Sequence, residues 1–254
     1  MQFEEFDQFT RKLCSETEKT ILHYFNSSDL ETESKSDDTP VTIADRTSEQ
    51  TIRDAIEAAY PDHGIVGEEF ADKASKSEYS WVIDPIDGTK TFVASCPLFG
   101  TMIALLKDGE PIYGCINYPA IGKRICGDGQ NAFCNDSPIK ARTGVSIDDS
   151  VVLVTDFLSV GDHQNGATFE ALARRARLVR TWGDCYGYLL LCEGKADIML
   201  DPEMSPWDIM ALIPIVRGAG ATITDWQGNN PTKGESIIAA NSDLHAEVQS
   251  FLNP

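Results

Sequence analysis

The chain has 254 residues, 42% of them hydrophobic, enough apolar mass to bury a sizeable core as one folded unit or as two subdomains sharing an interface. Its formal net charge of −19 sets 40 carboxylates against 21 Lys and Arg, a balance that repels a phosphate backbone and excludes nucleic acid as an expected partner. Seven cysteines with no C-x-x-C pair, four histidines without metal-ligand spacing and no long apolar run point away from a disulfide scaffold, a zinc hydrolase and a membrane protein, and towards a reduced cytosolic one.

Phe3, Phe6, Phe9, Leu13, Ile21 and Phe25 recur at helical spacing and predict one long amphipathic helix packed on a core. The polar stretch at 27–39 reads as a surface loop ending at Pro40. A second helix is expected over 47–60, with Ile52, Ala55, Ile56 and Ala59 on its inner face and Thr47 or Ser48 as its cap. Short apolar runs at 64–66, 80–84, 98–106, 111–118 and 123–126 then suggest an antiparallel sheet, with Lys107-Asp108-Gly109-Glu110 as a hairpin turn. Beyond Ser150, strands at 151–154, 178–180, 196–200, 221–226 and 236–240 alternate with helices at 168–175, 184–193, 206–217 and 242–251, the pattern of an α/β half.

The chemistry concentrates in Trp81-Val82-Ile83-Asp84-Pro85-Ile86-Asp87-Gly88-Thr89. An apolar strand runs into a turn with two carboxylates three positions apart. Pro85 removes a ladder donor and fixes its φ, so the strand is expected to end at Asp84 and turn sharply. Asp84 and Asp87 then share a small space with the Ile86 carbonyl between them, a hard-oxygen set suited to Mg²⁺. Gly88 and Thr89 offer backbone N–H groups at a possible helix start, a favourable place for a phosphate. An Asx turn satisfying local donors is the ordinary alternative. Val66-Gly67-Glu68-Glu69-Phe70 and Trp207-Asp208 add acids after a strand and in a helix's first turn, positions that also suit solvated loop charges and helix-dipole partners.

Taken in order, Gly67-Glu68-Glu69, Asp84-Pro85-Ile86-Asp87-Gly88-Thr89 and Trp207-Asp208 resemble the three signatures of the inositol-monophosphatase superfamily of Mg²⁺-dependent, Li⁺-sensitive phosphatases. The resemblance runs from about Val41 to Ala240 and matches Asp45 to an upstream family Asp. It implies that Glu68, Asp84 and the Ile86 carbonyl hold one Mg²⁺, that Asp84, Asp87 and Asp208 hold a second, and that a third, weaker ion sits near Glu68 and Glu69. It also implies that Glu68 and Thr89 orient a water, that Asp45 positions Thr89, and that N–H groups at Asp87, Gly88 and Thr89 hold the phosphoryl oxygens. Paired cations suit phosphate-ester hydrolysis because they stabilise both attacking and leaving oxygens.

Within the superfamily, residues 39–45, 63–70, 96–101, 183–186 and 212–216 look more like the histidinol-phosphate phosphatase branch. Asp184 is then a candidate partner for the substrate's amine or imidazole, or else a helix N-cap. Asp201 stands where inositol monophosphatases carry a substrate-contacting Glu, with Glu203 close by; Arg180 and Lys90 are candidate phosphate contacts or surface pairs. The expected architecture is a layered αβαβα sugar-phosphatase fold: an α+β subdomain over 1–142, an α/β subdomain over 143–254, and a cleft between them. The expected activity is hydrolysis of L-histidinol phosphate by a cytoplasmic homodimer. The alternatives are an inositol-1-phosphate, sugar-phosphate or nucleotide 3'-phosphate phosphatase, and a non-catalytic metal-binding regulator.

Overall fold

The structure, a computed structural model, describes residues 1–27, 32–34 and 40–254. Helix α1, Phe3–Tyr24, buries Phe6, Leu13 and Ile21 of the predicted stripe, with Cys14 beside them; Phe3 and Phe9 are half-buried against the same core, and Phe25 stands just past the helix end. The polar stretch after it is not wholly a loop. Thr32–Ser34 (β1) pairs antiparallel with Pro40–Thr42 (β2), while residues 28–31 and 35–39 of that expected loop lie outside the described residues. Helix α2, Ile43–Ala59, starts before the expected Thr47, and its cap is Thr42 rather than Thr47 or Ser48. The cause is a reciprocal capping box: Thr42 Oγ1 accepts the N–H groups of Ala44 and Asp45, and Asp45 Oδ2 accepts the Thr42 N–H at 2.8 Å.

A seven-stranded sheet follows in chain order: β3 Gly64–Gly67, β4 Tyr79–Asp87, β5 Gly100–Lys107, β6 Glu110–Tyr118, β7 Lys123–Gly127, β8 Ala132–Cys134 and β9 Ser137–Pro138, with the short helix α3, Thr89–Val93, after β4. Asp108 and Gly109 take positive φ, 51° and 83°, as a two-residue hairpin turn demands. The sheet is antiparallel as expected from β4 onward, but β3 runs parallel to β4 because residues 68–78 cross back over its length. The second half supplies β10 Val151–Val154, α4 Val160–His163, α5 Gly166–Arg175, β11 Leu178–Arg180, α6 Asp184–Cys192, β12 Ile198–Asp201, α7 Pro206–Ile209, α8 Leu212–Gly218, β13 Ala221–Thr224, β14 Ile237–Asn241 and α9 His245–Leu252. Its strands lie in the order β11-β10-β12-β14-β13, parallel among the first three and antiparallel at β14 and β13. The single helix expected at 206–217 is broken at Met210 and Ala211, where Pro214 has no N–H to offer the Met210 carbonyl.

Five layers result. Trp81, Ile83, Ile103 and Leu105 pack against Phe6 and Leu13 of α1 and Ile52 and Ile56 of α2. The opposite face of that sheet, Val82, Met102, Ala104 and Ile116, packs on Tyr188 and Leu189 of α6 and Leu212, Ile213 and Val216 of α8, which also meet Met199, Ile223 and Ala239 of the second sheet. Beyond it, Val152, Val154, Leu200 and Ile238 bury Phe169 and Leu172 of α5 and Val248 and Leu252 of α9. The order is helices, sheet, helices, sheet, helices, the expected αβαβα stack. Among the described residues no helix is long and apolar enough to cross a membrane.

Candidate active site

Strand β4 carries the first two acids. Alternation sends Trp81 and Ile83 towards α1 and α2, and Val82 and Asp84 towards the middle helices. Asp87 lies an odd number of positions beyond Asp84, so a regular strand would aim it the wrong way. Instead β4 advances from Asp84 to Asp87 while β5 advances only from Met102 to Gly100, a bulge with one extra residue on β4. Ile86 is thereby turned outward into the cluster with Ile21, Phe92 and Phe99, and Asp87 returns to the inner side, where its Oδ2 accepts the Cys185 N–H at 2.5 Å. The strand therefore does not end at Asp84, as expected, but continues through Asp87. Pro85 lacks the ladder donor, the pairing skips past it, and its carbonyl takes the Thr101 hydroxyl at 2.8 Å.

Asp208 arrives from α7, where its Oδ2 accepts the Ser205 N–H at 2.8 Å, so its ordinary role as a first-turn acid is real. Oxygens of Asp84, Asp87 and Asp208 all lie within 4.8 Å of one another. Asp84 is 2% exposed, and its Oδ1 is buried without a hydrogen-bond partner. Burial first, then the charges of Glu68 and Asp87, push the Asp84 carboxyl well above the usual carboxylate range. Burial, then Asp184 and Asp208, do the same to Asp87. Burial chiefly, with Glu68 adding and the Ser205 N–H opposing, takes Asp208 to about 7. Three crowded carboxylates, one with an orphaned oxygen, are a donor set that fits a hard, oxygen-preferring divalent ion.

Glu68 follows β3, whose register sets Gly67 beside Ile83 and so brings Glu68 alongside Asp84. Its charge reaches Asp45, Asp84 and Asp208, although it stands outside the trio that shares the 4.8 Å sphere. Glu69 is also outside that group: its N–H donates to Glu49 Oε2 at 2.7 Å and its charge acts on Arg46. Gly88 takes φ 84°, a left-handed value open to glycine, and starts α3 at Thr89. The Thr89 hydroxyl lies 3.0 Å from the Ile86 carbonyl and 3.3 Å from Asp45 Oδ1. Asp45 is fully buried, and burial, with Glu68 adding to it against the Thr42 hydrogen bonds, raises its carboxyl to about 6.

From Asp87 and Asp208 a cavity of about 210 Å³ extends past Lys90, Thr155, Asp156, Asp184, Tyr188 and Glu203. Asp184 is the first residue of α6 and the cap position is Gly183, so the N-cap reading fails. Its carboxylate instead accepts the Thr91 hydroxyl at 2.7 Å, and its N–H donates to Thr155 Oγ1 at 2.9 Å. Asp201 accepts the hydroxyls of Thr155 (2.5 Å) and Tyr188 (2.7 Å), which engages both its oxygens inside the protein. Glu203 is exposed and pairs with His163 at 3.1 Å. Lys90 lines the cavity, whereas Arg180 lies over the Trp182 ring, 5.9 Å from its centre, and does not line it. Sequence reasoning missed Thr42, Thr91, Thr155, Tyr188 and the Cys185 N–H. Only Thr42 had a readable signal, the T-x-x-D spacing to Asp45.

In this stack of layers, two acids from the bulged strand and one from α7 form a candidate cation site between the two sheets. The chain belongs to the inositol monophosphatase family, whose model matches residues 2–252. It is 41% identical over 239 residues to a histidinol-phosphatase of Chlorobaculum parvum, covering 93% of this chain and 92% of that protein. A histidinol-phosphatase of Mycobacterium tuberculosis is 36% identical over 236 residues, 90% of each chain. Among solved structures, an inositol monophosphatase from Zymomonas mobilis is 31% identical and superposes with a TM-score of 0.88 over 100% of both chains.

Proposed function

We propose that this protein is a Mg²⁺-dependent phosphomonoesterase that hydrolyses L-histidinol phosphate to L-histidinol and phosphate. The carrying observation is the convergence of Asp84, Asp87 and Asp208 within 4.8 Å, with Asp84 Oδ1 left without a partner. Mg²⁺ bound there would supply Lewis acidity to the phosphoryl oxygens and acidify the attacking water. Asp84, Asp87 and Asp208 would hold two ions together with Glu68 and the Ile86 carbonyl, and Glu69 would lie near a third, weaker one. The Thr89 hydroxyl has the Ile86 carbonyl at 3.0 Å and Asp45 Oδ1 at 3.3 Å as acceptors; turned towards Asp45, it would keep its lone pairs free to accept from the attacking water and fix that water's direction. Glu68, next to Asp84, takes the other side of the same water. Backbone N–H groups at Asp87, Gly88 and Thr89 hold the phosphoryl oxygens where negative charge grows.

The choice of ester rests on two supports. Relatives named histidinol-phosphatases cover nearly the whole chain. The cavity beyond the three acids is lined by Asp156, Asp184 and Glu203, with Asp201 beneath, which suits an alcohol carrying amine and imidazole groups better than a neutral polyol. Phosphate release with Mg²⁺ is to be compared across histidinol phosphate, inositol-1-phosphate, fructose-1,6-bisphosphate and a nucleoside 3'-phosphate. The highest kcat/KM is expected for histidinol phosphate, and equal or faster cleavage of inositol-1-phosphate would overturn that choice. Family membership also supports a cytoplasmic homodimer of histidine biosynthesis, checked by sedimentation and by complementation of a histidine auxotroph. We assign two subdomains meeting near Arg142, which limited proteolysis tests.

A further inference from the structure

We propose that Glu49 and Arg53 of α2 are positioning residues that set Glu68 against the metal-holding acids; this rests on the metal reading above. Asp45, Glu49 and Arg53 recur every four residues on one side of α2, so the helix that brings Asp45 to Thr89 carries two further ionic groups along the same face. Glu49 is 0% and Arg53 6% exposed, and their ion pair is 2.7 Å long. A buried ion pair loses in desolvation much of what it gains in attraction, and an apolar pair of similar size would stabilise the core as well. Its value lies in what its remaining hydrogen-bonding atoms hold.

The further hydrogen bonds of the pair hold the segment that follows β3. Glu49 Oε2 accepts the Glu69 N–H at 2.7 Å; Arg53 donates to the Phe70 carbonyl at 3.0 Å and to the Ala71 carbonyl at 3.1 Å. Three consecutive backbone groups, at residues 69, 70 and 71, are thus gripped from α2. Gly67 completes the device, because a Cβ there would overlap the Glu49 carboxylate and stand 2.7 Å from the Arg53 guanidinium. Glu68 lies between the glycine that lets Glu49 approach and the amide that Glu49 binds. Its backbone is therefore held on both sides, which lowers the cost of ordering its carboxylate beside Asp84 when a cation binds.

The test uses Glu49→Gln, which keeps an acceptor for the Glu69 N–H but turns an amide against Arg53, and Arg53→Lys, which keeps the charge but cannot span both carbonyls. The readout is the Mg²⁺ concentration at half-maximal thermal stabilisation of the full chain, with kcat and KM measured alongside. We expect that midpoint to rise about 10- to 100-fold in both variants, as is typical when a group that holds a metal ligand is altered, with kcat falling at limiting Mg²⁺ and KM for the ester nearly unchanged. Folded variants whose midpoint stays within about twofold of wild type would overturn the proposal. A variant-free check is amide hydrogen exchange of the wild type: the Glu69 amide should exchange as slowly as strand amides, and exchange at the rate of an exposed loop would overturn the proposal equally. A wild type that Mg²⁺ does not stabilise refutes the metal reading and this inference with it. Stabilisation by Mg²⁺ without cleavage of histidinol phosphate refutes only the choice of substrate.

Discussion

The Thr89 hydroxyl lies 3.3 Å from Asp45 Oδ1, joining residues 44 positions apart, while the other oxygen of Asp45 takes the Thr42 N–H at 2.8 Å. One carboxylate thus starts a helix and orients a hydroxyl of the site. The two tasks separate by substitution. Asp45→Asn keeps one acceptor and much of the cap, and is expected to lower kcat by a factor on the order of 10². Asp45→Ala should in addition cost about 1 kcal/mol of stability in urea unfolding. An Asp45→Asn enzyme with wild-type kcat would show that Thr89 needs no such partner.

Thr89 itself gives a sharper contrast. Thr89→Ser preserves the hydroxyl and should keep most of the turnover, whereas Thr89→Val preserves only shape and should lose it. Equal activities in a single-turnover assay would remove the hydroxyl from the mechanism.

Asp87→Asn should cut turnover by a factor on the order of 10² or more while the protein stays folded. Because burial and the charges of Asp184 and Asp208 disfavour the ionised Asp87, the neutral replacement should unfold at a higher temperature than wild type when both are metal-free. Undiminished activity in this variant would also favour the non-catalytic reading of the acidic cluster.

Saturating Mg²⁺ should raise the melting temperature of the wild type, and a concentration 100 times Kd corresponds to about 2.7 kcal/mol. Scanning calorimetry with and without a chelator measures this. A melting temperature indifferent to Mg²⁺ would leave the three acids without a cation to hold.

The Tyr188 hydroxyl donates to Asp201 Oδ2 at 2.7 Å within the core beneath the cavity. Tyr188→Phe strips a buried carboxylate of one donor, and a loss of about 1–3 kcal/mol in denaturant unfolding is expected. No loss would mean that the remaining Thr155 contact satisfies Asp201 alone.

Away from the site, burial works to raise the Asp7 carboxyl, but hydrogen bonding and charge from Arg124, with help from Arg11, bring it below its ordinary value. A lowered folded-state value makes its stabilising contribution fully present above about pH 4 and lost as pH falls through that lowered value. The stability gap between wild type and Asp7→Asn should accordingly narrow on acidification, and urea midpoints that differ equally at pH 7 and pH 3 would contradict this.

The sequence disclosed the layers well because each element carries its own period. Phe6, Leu13 and Ile21 mark the inner side of α1, and the runs of β4, β5 and β6 mark strands buried on both faces. The acids of the site were also legible, since Asp84, Asp87 and Asp208 sit in short recognisable strings, and the structure brings their oxygens within 4.8 Å of one another. What stayed hidden depends on partners remote in the chain. Nothing near Asp184 reveals Thr91, and nothing near Asp201 reveals Thr155 or Tyr188. The start of α2 was misplaced for a different reason: Thr47 and Ser48 are good caps by type, but Thr42 has an acid at the reciprocal spacing.

The extra residue in β4 makes parity a requirement of this protein. Side chains on a strand change sides at every step, so two acids separated by an odd interval share a face only if the backbone slips once between them. A strand that kept Pro85 and Ile86 but lost the slip would carry both carboxylates and place them on opposite surfaces of the sheet. The slip between Asp84 and Asp87 is therefore as strict a condition on this chain as the identity of the two acids.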